Sequence, residues 1–326
     1  MRIAAGSQDL WQVRLADRAE RALARTPARA ESWPLWSQAA GLLLFEASEA
    51  GGPEVASDLW LLDPASGGEW PLTRTPARAE RWAAWSPDGR RVAYAFWGGE
   101  PAAGIALADA AGGAVEILAA AGAGDSWLRP AFSPDGAQLV AQRRAKGARG
   151  DTDLWLLAAG AAPRPLLRDP AWFDWRAQFS RDGRRVFFSR RPVGGGPHQV
   201  ASVAVDGGDL RRLAAFGDDH SVTPSPTRDE IAFVSESQGT SDVFLAGPGG
   251  EGARPLAPTP DWSELAPRWS PDGERIALIA TPAAVGTPRL RKPESLRATR
   301  LRVLDRQGHL LLDTPGLMAD WMPPWP

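Results

Sequence analysis

The sequence predicts an all-β fold: a single seven-bladed β-propeller with four-stranded blades, one of them shared by the two termini. Three observations lead to this prediction. A short turn motif recurs along the whole chain every 45 to 56 residues, a period that suits four short strands. Between the turns lie short apolar runs, and no helical periodicity is sustained. The two ends of the chain match complementary parts of one repeat.

The repeated motif is an aromatic residue followed by Ser-Pro-Asp-Gly. Near-complete copies are Trp85–Gly89, Phe132–Gly136, Phe179–Gly183 and Trp269–Gly273, with degenerate copies starting at Trp36 and Pro224 and a seventh start at Trp325. Proline presets φ for a turn, serine suits its first position, and glycine takes the position that favours φ > 0. The aromatic residue therefore ends the first strand of each unit, and the turn leads into the second.

The remaining strands follow in the same order in each unit. Arg91–Tyr94 is typical of the second strand, Asp153–Leu157 of the third, and Arg211–Leu213 of the short fourth strand. We therefore expect one domain, residues 1–326, made of blades at about 33–74, 82–119, 127–168, 175–214, 221–257 and 265–312, and a split blade of 321–326 with 1–25.

The split blade follows from the two ends of the chain. Arg2–Ala5, Asp9–Val13 and Arg21–Leu23 match second, third and fourth strands, and Asp320–Trp325 matches a first strand. Residues 321–326 should then be the innermost strand of a seventh blade. Such a closure would leave no open sheet edge.

Composition excludes several classes of function. The net charge of −2 lacks the basic field that non-specific nucleic-acid binding needs. With no cysteine there can be no disulfide, thiolate metal site or cysteine nucleophile. No apolar run reaches 18 residues, so no membrane span is predicted. The N-terminus lacks the apolar stretch of a secretory leader, so either a leader has been removed or the protein is cytoplasmic, with Met1 the native start.

The aromatic-Ser-Pro-Asp-Gly turn, followed by a short β-run and by Asp-Leu-Trp at 58–60 and 153–155, resembles the Pro-Asp repeat of the TolB-type (WD40-like) propeller family. More distantly, the chain resembles the propellers of prolyl oligopeptidases and oligogalacturonate lyases. The resemblance covers essentially the whole chain and implies a bacterial, periplasmic protein. It indicates the fold more than the function, because propellers host many activities.

Motifs typical of catalytic sites are missing from the sequence. No Gly-x-Ser-x-Gly elbow exists, so a prolyl oligopeptidase activity lacks its nucleophile. The three histidines, His198, His220 and His309, fall on different faces by the repeat register, which argues against a histidine metal site such as the one that oligogalacturonate lyases use. We expect no catalytic residue, no metal and no cofactor.

One pattern stands out as a candidate binding site. The segment before each first strand places an acid beside an aromatic residue, and in a propeller these segments converge at one mouth of the central channel. The candidate binding residues are Glu31, Trp33, Glu80, Trp82, Asp125, Trp127, Asp174, Trp175, Asp219, His220, Trp262, Glu264, Asp320 and Trp321. Exposed acids would create a negative potential there, and indoles would offer flat apolar contact. Alternatively, the tryptophans wedge between blades and the acids cap loops.

The loops predicted on the same face differ between units. The third and fourth units carry Arg143, Arg144, Arg190 and Arg191, and the sixth inserts a basic loop at 281–299. An acidic centre with a basic periphery suits a protein partner better than a polyanion. We therefore predict a monomeric, non-catalytic propeller that binds a protein or peptide at the channel mouth. The alternative is a carbohydrate-binding or carbohydrate-active propeller, of lyase or hydrolase type, that uses the same tryptophan and acid rim.

Overall fold

Twenty-seven β-strands and no α-helix make up the described part of the chain. The structure is a computed structural model, which describes residues 2–4, 7–24, 26–49, 57–75, 78–113, 115–121, 124–145, 147, 152–213, 216–236, 239–283, 298–316 and 320–323. No helix long and apolar enough to cross a membrane is found in these ranges. The all-β prediction is confirmed.

The strands form six four-stranded antiparallel sheets and one three-stranded sheet, each built from consecutive strands. The three-stranded sheet contains β1 (Arg2–Ala4), β2 (Ser7–Val13) and β3 (Glu20–Ala24). Blade 1 contains β4 (Arg29–Ser37), β5 (Leu42–Glu49), β6 (Asp58–Leu62) and β7 (Glu69–Pro71). Blade 2 contains β8 (Ala79–Trp85), β9 (Arg91–Trp97), β10 (Ala103–Asp109) and β11 (Val115–Ala121). Blade 3 contains β12 (Ser126–Phe132), β13 (Leu139–Arg144), β14 (Asp153–Leu157) and β15 (Arg164–Leu167).

The second half of the chain repeats this order. Blade 4 contains β16 (Trp172–Phe179), β17 (Arg185–Pro192), β18 (Gln199–Ala204) and β19 (Arg211–Arg212). Blade 5 contains β20 (Asp218–Pro224), β21 (Ile231–Glu236), β22 (Ser241–Ala246) and β23 (Arg254–Pro255). Blade 6 contains β24 (Trp262–Trp269), β25 (Arg275–Pro282), β26 (Arg300–Asp305) and β27 (Leu310–Pro315).

The prediction of seven four-stranded blades is wrong, because the described residues form six. The C-terminal segment expected as the inner strand of a seventh blade has no strand over 320–323, and residues 324–326 lie outside the described residues. The N-terminal sheet therefore has three strands. It packs between the first and last blades: Leu10 contacts the core of blade 1, and Val13 contacts that of blade 6.

The predicted turns between first and second strands are confirmed. In blade 2 the Ser86 hydroxyl donates to Asp88 Oδ1 at 2.6 Å, and the Arg91 amide donates to Ser86 Oγ at 2.9 Å. Gly89 has φ +69°, and a Cβ there would lie 2.5 Å from the amide nitrogen of Ala40 in blade 1. The glycine is thus required both by the turn and by the close approach of the neighbouring blade.

The core lies between successive blades. In blade 2, every residue from Val92 to Phe96 is buried, although side chains alternate between the two faces of the strand. The reason is that blade 1 covers one face and blade 3 the other: Val92 packs with Leu44 and Leu59, whereas Ala93 packs with Trp127 and Leu139. A sheet covered on both faces is apolar on both faces.

Candidate functional site

A cavity of about 1030 Å³ lies at the centre of the ring. Its wall contains consecutive residues from the first strand of every blade: 33–36, 82–85, 129–132, 176–179, 220–224 and 265–269. Residues 320–321 also line the cavity. The expectation that the first strands are innermost is confirmed, and the cavity is the central channel.

Each first strand carries a β-bulge, and the bulge turns one residue per blade into the channel. The bulged residues have positive φ and stand three positions before the last residue of the strand, or four in β4: Trp33, Trp82, Arg129, Arg176, Ser221 and Ala266. Positive φ is costly for residues other than glycine, so the surrounding sheet must hold it in place. In three blades the preceding blade helps to do so, because a side chain from its second strand accepts the bulged amide.

These acceptors are polar residues at one repeat position. Glu46 Oε1 accepts from the Trp82 amide at 2.7 Å. Gln142 Oε1 accepts from the Arg176 amide at 3.2 Å, and Ser189 Oγ accepts from the Ser221 amide at 2.9 Å. The bulges thus fix the channel wall and also connect neighbouring blades.

The C-terminal segment contributes to the channel wall without forming a strand. The Trp321 indole donates to the Arg268 carbonyl at 3.2 Å, as the Trp85 and Trp269 indoles donate to carbonyls of the blades before them. Asp320 Oδ2 accepts from the Trp36 amide at 2.7 Å. Residues 320 and 321 therefore connect blade 6 to blade 1.

The expectation that the rim acids are exposed and unpaired is wrong. Five of them are buried to 1% exposure or less: Glu31, Glu80, Asp174, Asp219 and Glu264. Asp174 pairs with Arg190 at 3.0 Å, and Asp125, which is partly exposed, pairs with Arg143 at 3.0 Å. These acids lie at the starts of first strands, against the neighbouring blade, as the Asp174 amide shows by donating to the Thr152 carbonyl of blade 3. They are buried at blade contacts and create no exposed negative rim.

The tryptophans are divided between two environments. Trp33, Trp82 and Trp321 line the channel and are half-buried, as is His220. Trp127 is buried at 3% exposure with its ring edge against Trp155. Trp175 lies outside the channel wall against His198, and Trp262 lies under the Arg302 guanidinium at 4.4 Å. Trp127 is therefore packed between blades, and the expectation of an exposed indole face at the channel fails for Trp127 and Trp175.

Five of the fourteen predicted residues meet at the channel: Trp33, Trp82, His220, Asp320 and Trp321. Sequence reasoning missed the channel arginines Arg129, Arg176 and Arg268 and the buried Glu46. A signal for two of them was present, because Arg129 and Arg176 occupy the same position before the strand-ending aromatic residue as Trp33 and Trp82. The acids of the pairs stand earlier in each first strand, where the chain packs against the preceding blade, as the hydrogen bonds from the Glu80 and Asp174 amides to Ser57 and Thr152 show.

The ionisable groups of the channel are perturbed by burial. Burial, followed by the charges of Arg129 and Arg268, lowers the pKa of Arg176 to about 10. Burial raises the pKa of Glu46 to about 7, against the hydrogen bond from Trp82. Burial together with His198 lowers the pKa of His220 to about 4, so this imidazole is neutral at pH 7. At neutral pH the channel therefore carries a net positive charge.

No group of three or more histidine, aspartate or glutamate side chains is arranged to hold a metal ion within the part of the chain that the structure describes. His220, which lines the channel, and the neighbouring His198 have other partners. His198 Nδ1 contacts Asp218 Oδ1 at 2.5 Å, and His220 Nδ1 contacts Ser221 Oγ at 2.9 Å.

The family model for the TolB beta propeller domain matches residues 82–260, more than half of the chain. The chain belongs to this family. No curated protein matches the sequence significantly.

Solved structures of similar fold include proteins of different activity. TolB from Acinetobacter baumannii is 19% identical with a TM-score of 0.61, over 85% of this chain and 64% of that one. A puromycin hydrolase is 20% identical with a TM-score of 0.70, over 97% and 51%. An oligogalacturonate lyase in complex with manganese is 14% identical with a TM-score of 0.66, over 93% and 85%. The chain thus spans just under two thirds of the TolB chain and about half of the hydrolase, and at these identities the likeness shows the fold alone.

Proposed function

We propose that this TolB-type propeller is a non-catalytic binding protein that receives a peptide segment of a protein partner in its central channel. The observation that carries the proposal is the cavity of about 1030 Å³, whose wall presents the half-buried indoles of Trp33, Trp82 and Trp321. Half-buried tryptophan in a concave site is typical of residues that dominate binding energy. Family membership supports a location outside the cytoplasm.

The strained backbone of Trp33 and Trp82 also supports a ligand-binding site in the channel. Both have φ +52°, which a bulky residue adopts only at a cost, and both turn a large apolar ring into the channel. Strain of this kind concentrates at ligand sites. Both indoles remain partly exposed, although Trp82 also packs against Trp97 and the core between blades 2 and 3.

Peptide display on the purified protein tests the proposal. We expect enriched peptides to bind the wild type and to lose affinity about tenfold or more for the Trp33→Ala/Trp82→Ala variant, since truncated hot-spot aromatics cost at least ~2 kcal/mol. Trp70→Ala is the matched control, because Trp70 is exposed on the outer strand β7, away from the channel. Melting curves establish that each variant is folded.

Two outcomes would contradict the proposal. Peptides that bind the double variant as well as the wild type would place the binding surface elsewhere. Failure to enrich any peptide, together with binding of neutral or acidic oligosaccharides on a glycan array, would replace the peptide with a carbohydrate.

A further inference from the structure

Three arginines on different blades line the same cavity. Arg129 and Arg176 are the bulged residues of blades 3 and 4, with φ +49° and +53°, and Arg268 lies in the first strand of blade 6. The charges of Arg129 and Arg268 both act on Arg176, so the three guanidiniums share one electrostatic environment. The channel thus gathers like charges that the sequence separates by 47 and 92 residues.

None of these arginines has a carboxylate of the described residues within 4.0 Å, although many other arginines of the chain do. The two acids in the channel wall are engaged elsewhere: Glu46 accepts the Trp82 amide, and Asp320 accepts the Trp36 amide. Burial raises the pKa of both acids, that of Glu46 to about 7, so Glu46 carries only part of its negative charge near pH 7. The charges of Glu46 and Asp320 act on Arg129 and Arg268, respectively, but two carboxyls with raised pKa values do not balance three guanidiniums, so the channel keeps an excess of positive charge.

The contacts of the guanidiniums leave donors free toward the cavity. The Arg129 guanidinium lies over the Trp82 ring at 4.8 Å and over the Trp33 ring at 6.0 Å. Stacking of this kind uses the flat face of the group and leaves its N–H edge open for an acceptor. Arg176 uses one N–H on Ser221 Oγ at 3.3 Å. Gathered like charges repel one another, and an anionic ligand bound between them would relieve this repulsion.

The ligand that fits this arrangement carries carboxylates beside apolar groups. Arginine forks bind carboxylates in a bidentate manner, and the wall around them is dominated by proline, alanine, leucine and tryptophan. An oligosaccharide would need many more hydrogen-bonding side chains for its hydroxyl groups, whereas proline and aliphatic side chains of a peptide would pack on such a wall. The net charge of −2 disfavours a nucleic acid.

We propose that Arg129, Arg176 and Arg268 form an anion site that selects acidic peptide segments by binding their carboxylates inside the channel. This inference rests on the proposed function and adds the chemistry of the partner. Arg129, stacked on Trp82, and Arg176, fixed by Ser221, are preorganised for the contact. Arg268, which is exposed, lies in the first strand of blade 6 and provides the third donor group.

Fluorescence anisotropy with two labelled peptides tests the inference. One peptide is rich in glutamate and proline, and the other replaces every glutamate with glutamine. We expect the wild type to bind the acidic peptide at least tenfold more tightly, and Arg129→Gln/Arg176→Gln/Arg268→Gln to abolish this preference. The matched control, Arg18→Gln/Arg90→Gln/Arg184→Gln, removes the same charge from exposed positions outside the channel and should keep the preference. Because the channel arginines repel one another, the triple channel variant should have a melting temperature no lower than that of the triple control variant. If the triple channel variant does not fold, the three single variants are measured instead. Each single variant should weaken acidic-peptide binding severalfold.

The outcomes separate this inference from the proposed function. Equal affinity of the wild type for the two peptides, with binding that still depends on Trp33 and Trp82, would refute the anion site and leave peptide binding intact. An acidic preference that the channel variant retains would also refute it. Binding of oligogalacturonate in the channel with no binding of either peptide would overturn both.

Discussion

Glu80 provides a test of how burial controls the stability of this propeller. Its side chain is 1% exposed in β8, at the contact between blades 1 and 2. The Glu80 amide donates to the Ser57 carbonyl at 2.8 Å, and Ser57 Oγ donates to the Glu80 carbonyl at 3.0 Å. Its carboxyl accepts hydrogen bonds from the hydroxyls of Thr73, at 3.2 Å, and of Thr75. Burial outweighs these bonds and raises the pKa of Glu80 from 4.5 to about 7.

The direction of the pH effect follows from this shift. Between pH 4.5 and about 7 the folded state holds a proton on Glu80 that the unfolded state has released. The free energy of unfolding therefore falls as pH rises through this window and levels off above it. At 1.36 kcal/mol per pKa unit, the contribution of Glu80 decreases by roughly 2–3 kcal/mol between about pH 5 and about pH 8. Four other carboxyls have a pKa raised to about 7 by burial and act in the same direction: Glu31, Glu46, Asp174 and Glu264.

Urea denaturation across this pH range measures the effect. Glu80→Gln keeps the size of the side chain and removes its titration. As pH rises from about 5 to about 8, the free energy of unfolding of the wild type should therefore fall by about 2–3 kcal/mol more than that of the variant. Glu49→Gln changes an exposed carboxyl at the end of β5 and should follow the wild type. Parallel pH profiles for the wild type and Glu80→Gln would refute the assignment of a proton to buried Glu80.

Two further predictions concern the contacts between blades. Asp320→Ala removes the acceptor of the Trp36 amide. We expect urea denaturation to show that the free energy of unfolding falls by about 1–3 kcal/mol. If residues 320–323 do not connect blades 6 and 1, the free energy of unfolding would not change. Arg190→Ala leaves Asp174 buried without its partner at 3.0 Å. In the same assay the free energy of unfolding should fall by about 3–5 kcal/mol at pH 8. The decrease should be smaller at pH 5, where Asp174 is protonated. A loss independent of pH would mean that packing of the Arg190 stem, and not its charge, is what matters.

Local sequence determined the blades almost completely. The Ser-Pro-Asp-Gly turns form as predicted because serine, aspartate and glycine satisfy the turn within a few residues, as Ser86, Asp88 and Gly89 do. The strands on either side follow from their apolar runs. Such features depend on neighbours in the chain, so the sequence predicts them, and it also carried the resemblance to the TolB-type family.

Blade number and the nature of the site depended on contacts across the ring. Whether residues 320–323 join a sheet is decided by the distant partners Gln12, Trp36 and Arg268, and the segment bonds to all three without forming a strand. Most acids of the predicted rim are buried against the preceding blade, because they come before the bulge that turns one residue of each first strand into the channel. The bulge moves Arg129 and Arg176 inward, and only the closed ring brings Arg268 to them. The sequence alone thus determined a repeated blade, whereas the tertiary structure decided that its channel is basic, since the charge of a site depends on which side chains the packed ring desolvates.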